Sequence, residues 1–203
     1  KKCREEVGND FAISIKMNSA DFQKGGFSPE DSIQVAKLFS DSGIDNIEIS
    51  GGTYEQPRLL GLDKVSINPK RSENRKESTI AREAYFLSYA EEIAKVVNIP
   101  LMVTGGFRTK EGMEAALRDG ACEIVGVGRP LCANPYAIKE LLAGQIDELP
   151  KYEKTLSIGP WWLSPTSPFR LIQAINAFSA QAWFYQQIKN CLLYTSDAAD
   201  EVL

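Results

Sequence analysis

Ile99-Pro100-Leu101-Met102-Val103-Thr104-Gly105-Gly106-Phe107 and Glu123-Ile124-Val125-Gly126-Val127-Gly128-Arg129-Pro130 are two short apolar runs, each breaking off into glycine. Runs of this length closed by turn residues read as strands buried on both faces. Between them, Lys110 to Arg118 has helical character and Gly120 is its stop. A strand, a helix and a second strand in that order imply parallel pairing through a right-handed crossover.

The same rhythm extends upstream. Phe11 to Met17 and Asn46 to Ser50 are further apolar runs, each followed by polar or glycine-rich residues. Ser28-Pro29-Glu30-Asp31 is a helix start with proline at the first helical position, Val35, Leu38 and Phe39 follow at helical spacing, and Gly43 closes the helix. A longer amphipathic helix is predicted over Ser78 to Val97, with Ala81, Tyr85, Tyr89 and Ile93 along one stripe. Thr53 to Glu77 is a long connection rich in Pro, Lys, Arg and Asn, of the kind that forms lids or binding loops. After Pro150 the rhythm fades into loop-like sequence around Gly159-Pro160-Trp161-Trp162, followed by a last helix from about Phe169 to Lys189. Trp183 and Phe184 on that helix are expected to pack in a core.

The fold class is therefore α/β with a parallel sheet. A doubly wound sheet and a barrel both fit the alternation, and the position of the polar residues favours the barrel. They gather just after each strand: Lys16 and Asn18, Ser50-Gly51-Gly52, Thr104-Gly105-Gly106 and Gly126-Val127-Gly128-Arg129. A (β/α)8 barrel builds its active site at that face.

Composition narrows the function classes. The 203 residues are 43% hydrophobic and 25% charged with a net charge of −4, a globular profile without the basic surface that nucleic acid requires. No run has the length of a membrane span, and Lys1-Lys2-Cys3-Arg4-Glu5-Glu6-Val7-Gly8 lacks the apolar centre of a signal peptide. It reads as the end of a helix entered from upstream. Cys3, Cys122, Cys132 and Cys191 are widely spaced and there is no histidine, so no metal site is expected and the compartment is expected to be reducing, hence the cytoplasm.

The chemistry rests on the glycine-rich strand ends. Glycine lets backbone N–H groups approach a phosphate closely, and successive N–H groups form an anion-binding concavity. The loops after strands 7 and 8 of a barrel often hold a phosphate, and Arg129 would add charge-assisted bonds. Either glycine pair alone could simply turn a corner; both together with an arginine point to an anion.

Ile99 to Thr109, followed by Gly120-Ala121-Cys122-Glu123-Ile124-Val125-Gly126-Val127-Gly128-Arg129-Pro130-Leu131-Cys132-Ala133-Asn134-Pro135, resembles strands 7 and 8 of the NADH:flavin oxidoreductase, or old yellow enzyme, family. Phe11 to Asn18 resembles strand 5, and Ile47-Glu48-Ile49-Ser50-Gly51-Gly52-Thr53-Tyr54-Glu55 resembles strand 6. The resemblance implies the C-terminal half, about strands 5 to 8, of a TIM (β/α)8 barrel. It implies that Gly105 and Gly106 give backbone donors to the phosphate of flavin mononucleotide (FMN), with Gly128 and Arg129 as the second half of that site. Lys16 takes a position most often arginine in the family, where the cation lies near the N1/O2 edge of the flavin ring. Ser50 and Gly51, with Tyr54, are expected near the flavin or the substrate mouth.

The family's substrate-holding His/His or His/Asn pair and its tyrosine proton donor come from strands 1 to 4 and have no match here, so no catalytic residue is assigned. What the resemblance implies is part of an enzyme that passes hydride from NADH or NADPH through FMN to an electron-poor alkene or similar small-molecule acceptor, the whole enzyme being a candidate homo-oligomer. Residues 1–190 are expected to form one partial FMN-binding domain that is inactive alone. Residues 191–203 resemble translated sequencing-adaptor read-through and are expected to be a non-native or disordered tail. Two other readings stay open: a phosphate-binding isomerase or aldolase barrel without flavin, and a half-barrel with no catalytic role.

Overall fold

Each strand ends within one residue of the end of its apolar run, and the four make one parallel sheet. The structure is a computed structural model and describes residues 1–21, 25–51 and 86–200. The strands are β1 (Ser14–Asn18), β2 (Asn46–Ser50), β3 (Leu101–Thr104) and β4 (Ile124–Gly126), in the spatial order β1-β2-β3-β4. All three pairings are parallel. With them go helices α1 (Lys2–Val7), α2 (Pro29–Asp41), α3 (Leu87–Ala94) and α4 (Lys110–Arg118). The chain divides into two compact units, the first taking in the described residues up to Val127 and the second those from Gly128 onward.

The helices start where the sequence offers caps. The Ser28 hydroxyl accepts from the Asp31 backbone N–H at 3.1 Å while the Asp31 carboxylate accepts from the Ser28 N–H at 3.0 Å, a reciprocal capping box at the head of α2. The backbone N–H of Ser28 holds the Asp31 carboxyl below its ordinary value. Thr109 caps α4 through the Gly112 N–H. Gly43 and Gly120 end α2 and α4 as predicted, both at positive φ.

Alternation along the strands sorts the side chains. Met17, Ile47, Ile49, Leu101 and Val103 point to one face and pack with Ala36 of α2, Leu87, Ala90 and Ile93 of α3, and Ala116 of α4. The opposite face carries Lys16, Glu48, Met102 and Ile124, and Ile124 is 43% exposed. At the start of β1 and β2, Arg4 reaches from α1 to the carbonyl of Gly43 and pairs with Asp45. Asp45 also accepts the Ile13 N–H at 2.6 Å, and that bond, then Arg4, lowers its carboxyl against the opposing effect of burial.

In the second unit are α5 (Arg129–Ala133), α6 (Ala137–Leu142), α7 (Tyr152–Thr155), a 3-10 turn at Trp161–Leu163 and α8 (Arg170–Asp200). Buried Asn176 of α8 ties the preceding loop down. Its amide donates to the carbonyls of Leu163 and Ile172, both at 2.8 Å, and its carbonyl accepts from Ile158 N–H. Trp183 stacks edgewise on Phe184 and lies 5.5 Å from the ring of Tyr152. Phe184 is buried, whereas Trp161 is 86% exposed with φ at 47°.

Several boundaries differ from the sequence reading. β1 begins at Ser14, because Ile13 N–H is spent on Asp45 and Phe11 lies exposed. α3 ends at Ala94, so Val97 packs from the turn after the helix. α8 runs on past Lys189 to Asp200, so the tail read as lying outside the fold is helical to that point. The connection from Thr53 to Glu77, and Ala81 and Tyr85 of the predicted stripe, lie outside the described residues.

Cys122 sits in the core just before β4, and burial, helped by the neighbouring Glu123 charge, pushes its thiol up to about 11. Cys3 and Cys191 are exposed. Thiol alkylation of the native chain near neutral pH, followed by peptide mass mapping, should therefore label Cys3 and Cys191 first and leave Cys122 unmodified until denaturant is added. Early labelling of Cys122 would contradict this packing.

Candidate functional site

The C-terminal ends of β1, β2 and β3 carry the residues the sequence singled out. Lys16 and Glu48 are register partners on adjacent parallel strands, and Lys16 Nζ lies 2.5 Å from Glu48 Oε1. The lysine side chain is 57% exposed and the acid 19%. Burial by itself would raise the Glu48 carboxyl. The hydrogen bond from Lys16, the nearby Thr104 hydroxyl and the Lys16 charge outweigh it and leave the group below its ordinary value. Thr104 contributes without meeting full hydrogen-bond geometry.

Ser50 and Gly51 follow at the end of β2. The Ser50 carbonyl accepts the Ser19 N–H at 2.6 Å, which extends the β1–β2 ladder by one residue. Ser19 is fully buried, and its hydroxyl has no hydrogen-bond partner among the described residues. A Cβ on Gly51 would sit 2.6 Å from Phe86 Cε1 and 2.8 Å from Ser19 Oγ. A Cβ on Gly105 would sit 2.9 Å from the opposite edge of the same ring. Phe86, buried just ahead of α3, is thus wedged between the ends of β2 and β3. Gly105 and Gly106 have φ of 141° and 92°, a backbone path that side chains with a Cβ rarely follow. Gly105 is therefore required twice, by its backbone and by the ring beside it.

At the end of β4 the sterically forced glycine is Gly126. Its register partner is Thr104, and a Cβ on Gly126 would lie 1.8 Å from Thr104 Oγ1. Gly128, in the second unit, has no described residue within 4 Å of where a Cβ would be. Arg129 opens α5 and forms an ion pair of 3.6 Å with Glu153, longer than a hydrogen bond. Among the described residues there is no group of His, Cys, Asp and Glu that could hold a metal ion, and no helix long and apolar enough to cross a membrane.

No family model matches the chain. An NADH-dependent flavin oxidoreductase of Hypocrea jecorina is 39% identical over 144 residues, covering 68% of this chain and 33% of that protein. Another NADH-dependent flavin oxidoreductase, from Talaromyces variabilis, is 30% identical over 193 residues, 93% of this chain and 44% of its own length. The chain belongs to the NADH:flavin oxidoreductase, or old yellow enzyme, family. It spans a third to less than half of these two relatives. A solved structure of 2-naphthoyl-CoA reductase with 2-naphthoyl-CoA matches 72% of the chain and 20% of its own, with a TM-score of 0.56 at 24% identity, a likeness of fold.

Within this family member, Lys16 lies mid-strand in β1, two residues before its end, and Ser50, Gly51, Gly105 and Gly106 lie at or just past strand ends of the first unit. Gly128 and Arg129 belong to the second. Tyr54 lies outside the described residues. Sequence reasoning passed over Glu48, Ser19 and Phe86. Glu48 could have been found: Ile15-Lys16-Met17 and Ile47-Glu48-Ile49 are matching apolar-charged-apolar triplets on strands already expected to pair. Nothing in the sequence around Phe86 marks it as a wedge.

The Lys16–Glu48 pair makes a titration prediction. In the intact pair the acid's folded value is depressed, so its contribution to stability is present above the ordinary carboxylate range and is lost as pH falls through the depressed value. Lys16→Met removes bond and charge but leaves the burial. The Glu48 carboxyl should then titrate above its ordinary value of about 4.3, and stability should fall as pH rises through that region. Carbon-13 NMR titration of the Glu48 side chain checks the direction; a carboxyl still depressed in the variant would contradict it.

The wedge makes a second. Gly51→Ala should cost roughly 1–3 kcal/mol in chemical denaturation, the usual penalty of overpacking. Combined with Phe86→Leu it should cost less than the two single changes added together, because the smaller side chain makes room for the methyl. Strict additivity would mean that the ring does not set the spacing.

Proposed function

We propose that the chain is the cofactor-holding part of an FMN-dependent oxidoreductase, its four strands taking the place of strands 5 to 8 of a (β/α)8 barrel. The observation that carries this reading is the location of Lys16 on the sheet face away from the helices, beside the strand ends that carry Ser50-Gly51 and Gly105-Gly106. A barrel interior is such a face, and the outer edges of β1 and β4, unpaired among the described residues, are where further strands would join.

The residues present fit the group. Consecutive glycines at positive φ leave the backbone after β3 bare of side chains, so its N–H groups can approach a phosphate. The open space at Gly128 likewise admits a ligand. Arg129 contributes a guanidinium whose only ion-pair partner among the described residues, Glu153, is held at 3.6 Å, a looser grip than a phosphate oxygen at hydrogen-bond distance. Lys16 supplies positive charge toward the N1/O2 edge of the ring, and Ser50 and Gly51 border it. Bound FMN would supply the two-electron carrier that no side chain of this protein provides.

The reductant is NADH or NADPH, and the names of the two relatives specify NADH. The acceptor is a small molecule, an electron-poor alkene or a related compound, and its carbonyl oxygen would be held by residues other than those assigned here. A cytoplasmic location and assembly of the whole enzyme into a homo-oligomer belong to the same proposal.

Arg129→Ala tests the phosphate assignment. Losing a charged hydrogen-bond partner costs about 1.5–3 kcal/mol, which corresponds to FMN binding weakened roughly tenfold to a hundredfold. Flavin absorbance retained after exhaustive dialysis is the measurement. Equal retention by variant and wild type would remove Arg129 from the site.

A further inference from the structure

Lys16 and Glu48 differ in how firmly they are held. Glu48 sits in the middle of β2 between Ile47 and Ile49, both fully buried against the helix layer, and β2 is paired on both sides. Its backbone is held by a ladder on either side, and its carboxylate is the more enclosed member of the pair. Lys16 lies on β1, which is paired on one side in this sheet, and carries its charge on a flexible four-carbon stem. The fixed acid therefore decides where the mobile ammonium rests. At 2.5 Å the two charges also offset each other, so at a distance their combined field is that of a dipole and not of a full positive charge.

We propose that Glu48 is a positioning residue of the cofactor site, holding Lys16 on the open face of the sheet and moderating the positive field that Lys16 presents to the flavin. The inference rests on the reading of Lys16 as the cation beside the flavin ring. It assigns the site a built-in limit: the lysine favours negative charge on the cofactor, and the carboxylate caps how far. The pairing is one-to-one, from directly opposed register positions, with Thr104 of β3 as the remaining polar neighbour. Ser14 and Asn46, two residues back on the same strands, repeat the arrangement as a neutral pair at 2.8 Å. The charged rung is the one nearer the strand ends where the cofactor is proposed to lie.

The experiment is the midpoint potential of bound FMN, followed by absorbance in a dye-coupled titration of the holoprotein, in wild type and three variants. Lys16→Met should lower the potential. Glu48→Gln keeps the shape and an acceptor oxygen but removes the charge, and should raise it. Glu48→Asp keeps the charge but withdraws it by one methylene from Nζ, and should raise it by a smaller amount. The order expected, from highest, is Glu48→Gln, Glu48→Asp, wild type, Lys16→Met. A purely structural role for Glu48 would loosen flavin binding without producing that order. If Lys16→Met lowers the potential while neither Glu48 variant raises it, the role of Glu48 is overturned and that of Lys16 stands. If Lys16→Met leaves the potential where it was, the reading of Lys16 falls and this inference falls with it. Should Glu48→Gln fail to fold, the Asp variant alone decides, since its potential must lie above that of wild type.

Discussion

Burial of Ile47, Ile49, Leu101 and Val103 against the helix layer is the constraint on which the rest depends. Each such side chain contributes about 1.5–3 kcal/mol when taken fully out of water. Because strand side chains alternate with a period of two, a slip of one residue would turn these four outward and drive Glu48 into the apolar layer. Burying that charge away from Lys16 costs far more than any local adjustment recovers. The register that satisfies the core is therefore the same register that sets Lys16 opposite Glu48. Packing on one face of the sheet determines the electrostatics of the other.

A second constraint operates where the strands end. Phe86 fills the gap between β2 and β3 closely enough that neither Gly51 nor Gly105 has room for a methyl group. The glycines at this end of the sheet thus answer to packing, and Gly105 to backbone conformation as well. For Gly105 the two demands coincide, since the chain must also pass through positive φ there. For Gly51 the ring and the Ser19 hydroxyl are the structural reason on their own. At the end of β4 the division is sharper: Gly126 is forced by Thr104, while Gly128 meets no steric demand from the described residues.

Much of this was legible in the sequence, and the reasons are specific. The strands were readable because short apolar runs ended in glycine or polar residues, and β2 and α4 match the sequence reading residue for residue. The capped starts of α2 and α4 were readable because Ser28-Pro29 and the residues after Thr109 follow local rules that need no tertiary contact. Candidate residues at strand ends were readable because a parallel sheet collects them on one side. What escaped was whatever depends on a neighbour distant in sequence. The truncated start of β1 is set by Asp45, and the wedge by a phenylalanine whose two partners lie at residues 51 and 105. The short helices that open the second unit lack capping side chains and carry little periodicity, so they left no mark in the pattern.

A lysine rather than an arginine at position 16 fits this geometry. An arginine presents a planar fork that is best satisfied by two acceptors side by side, whereas an ammonium is a compact charge that one carboxylate oxygen can hold. Glu48 offers that single contact from directly across the ladder. Lysine also keeps its charge at the tip of a stem that can lengthen or retract along the sheet. A fixed acid paired with an extensible base thus keeps a positive charge on the sheet face opposite α2, α3 and α4, with a carboxylate beside it.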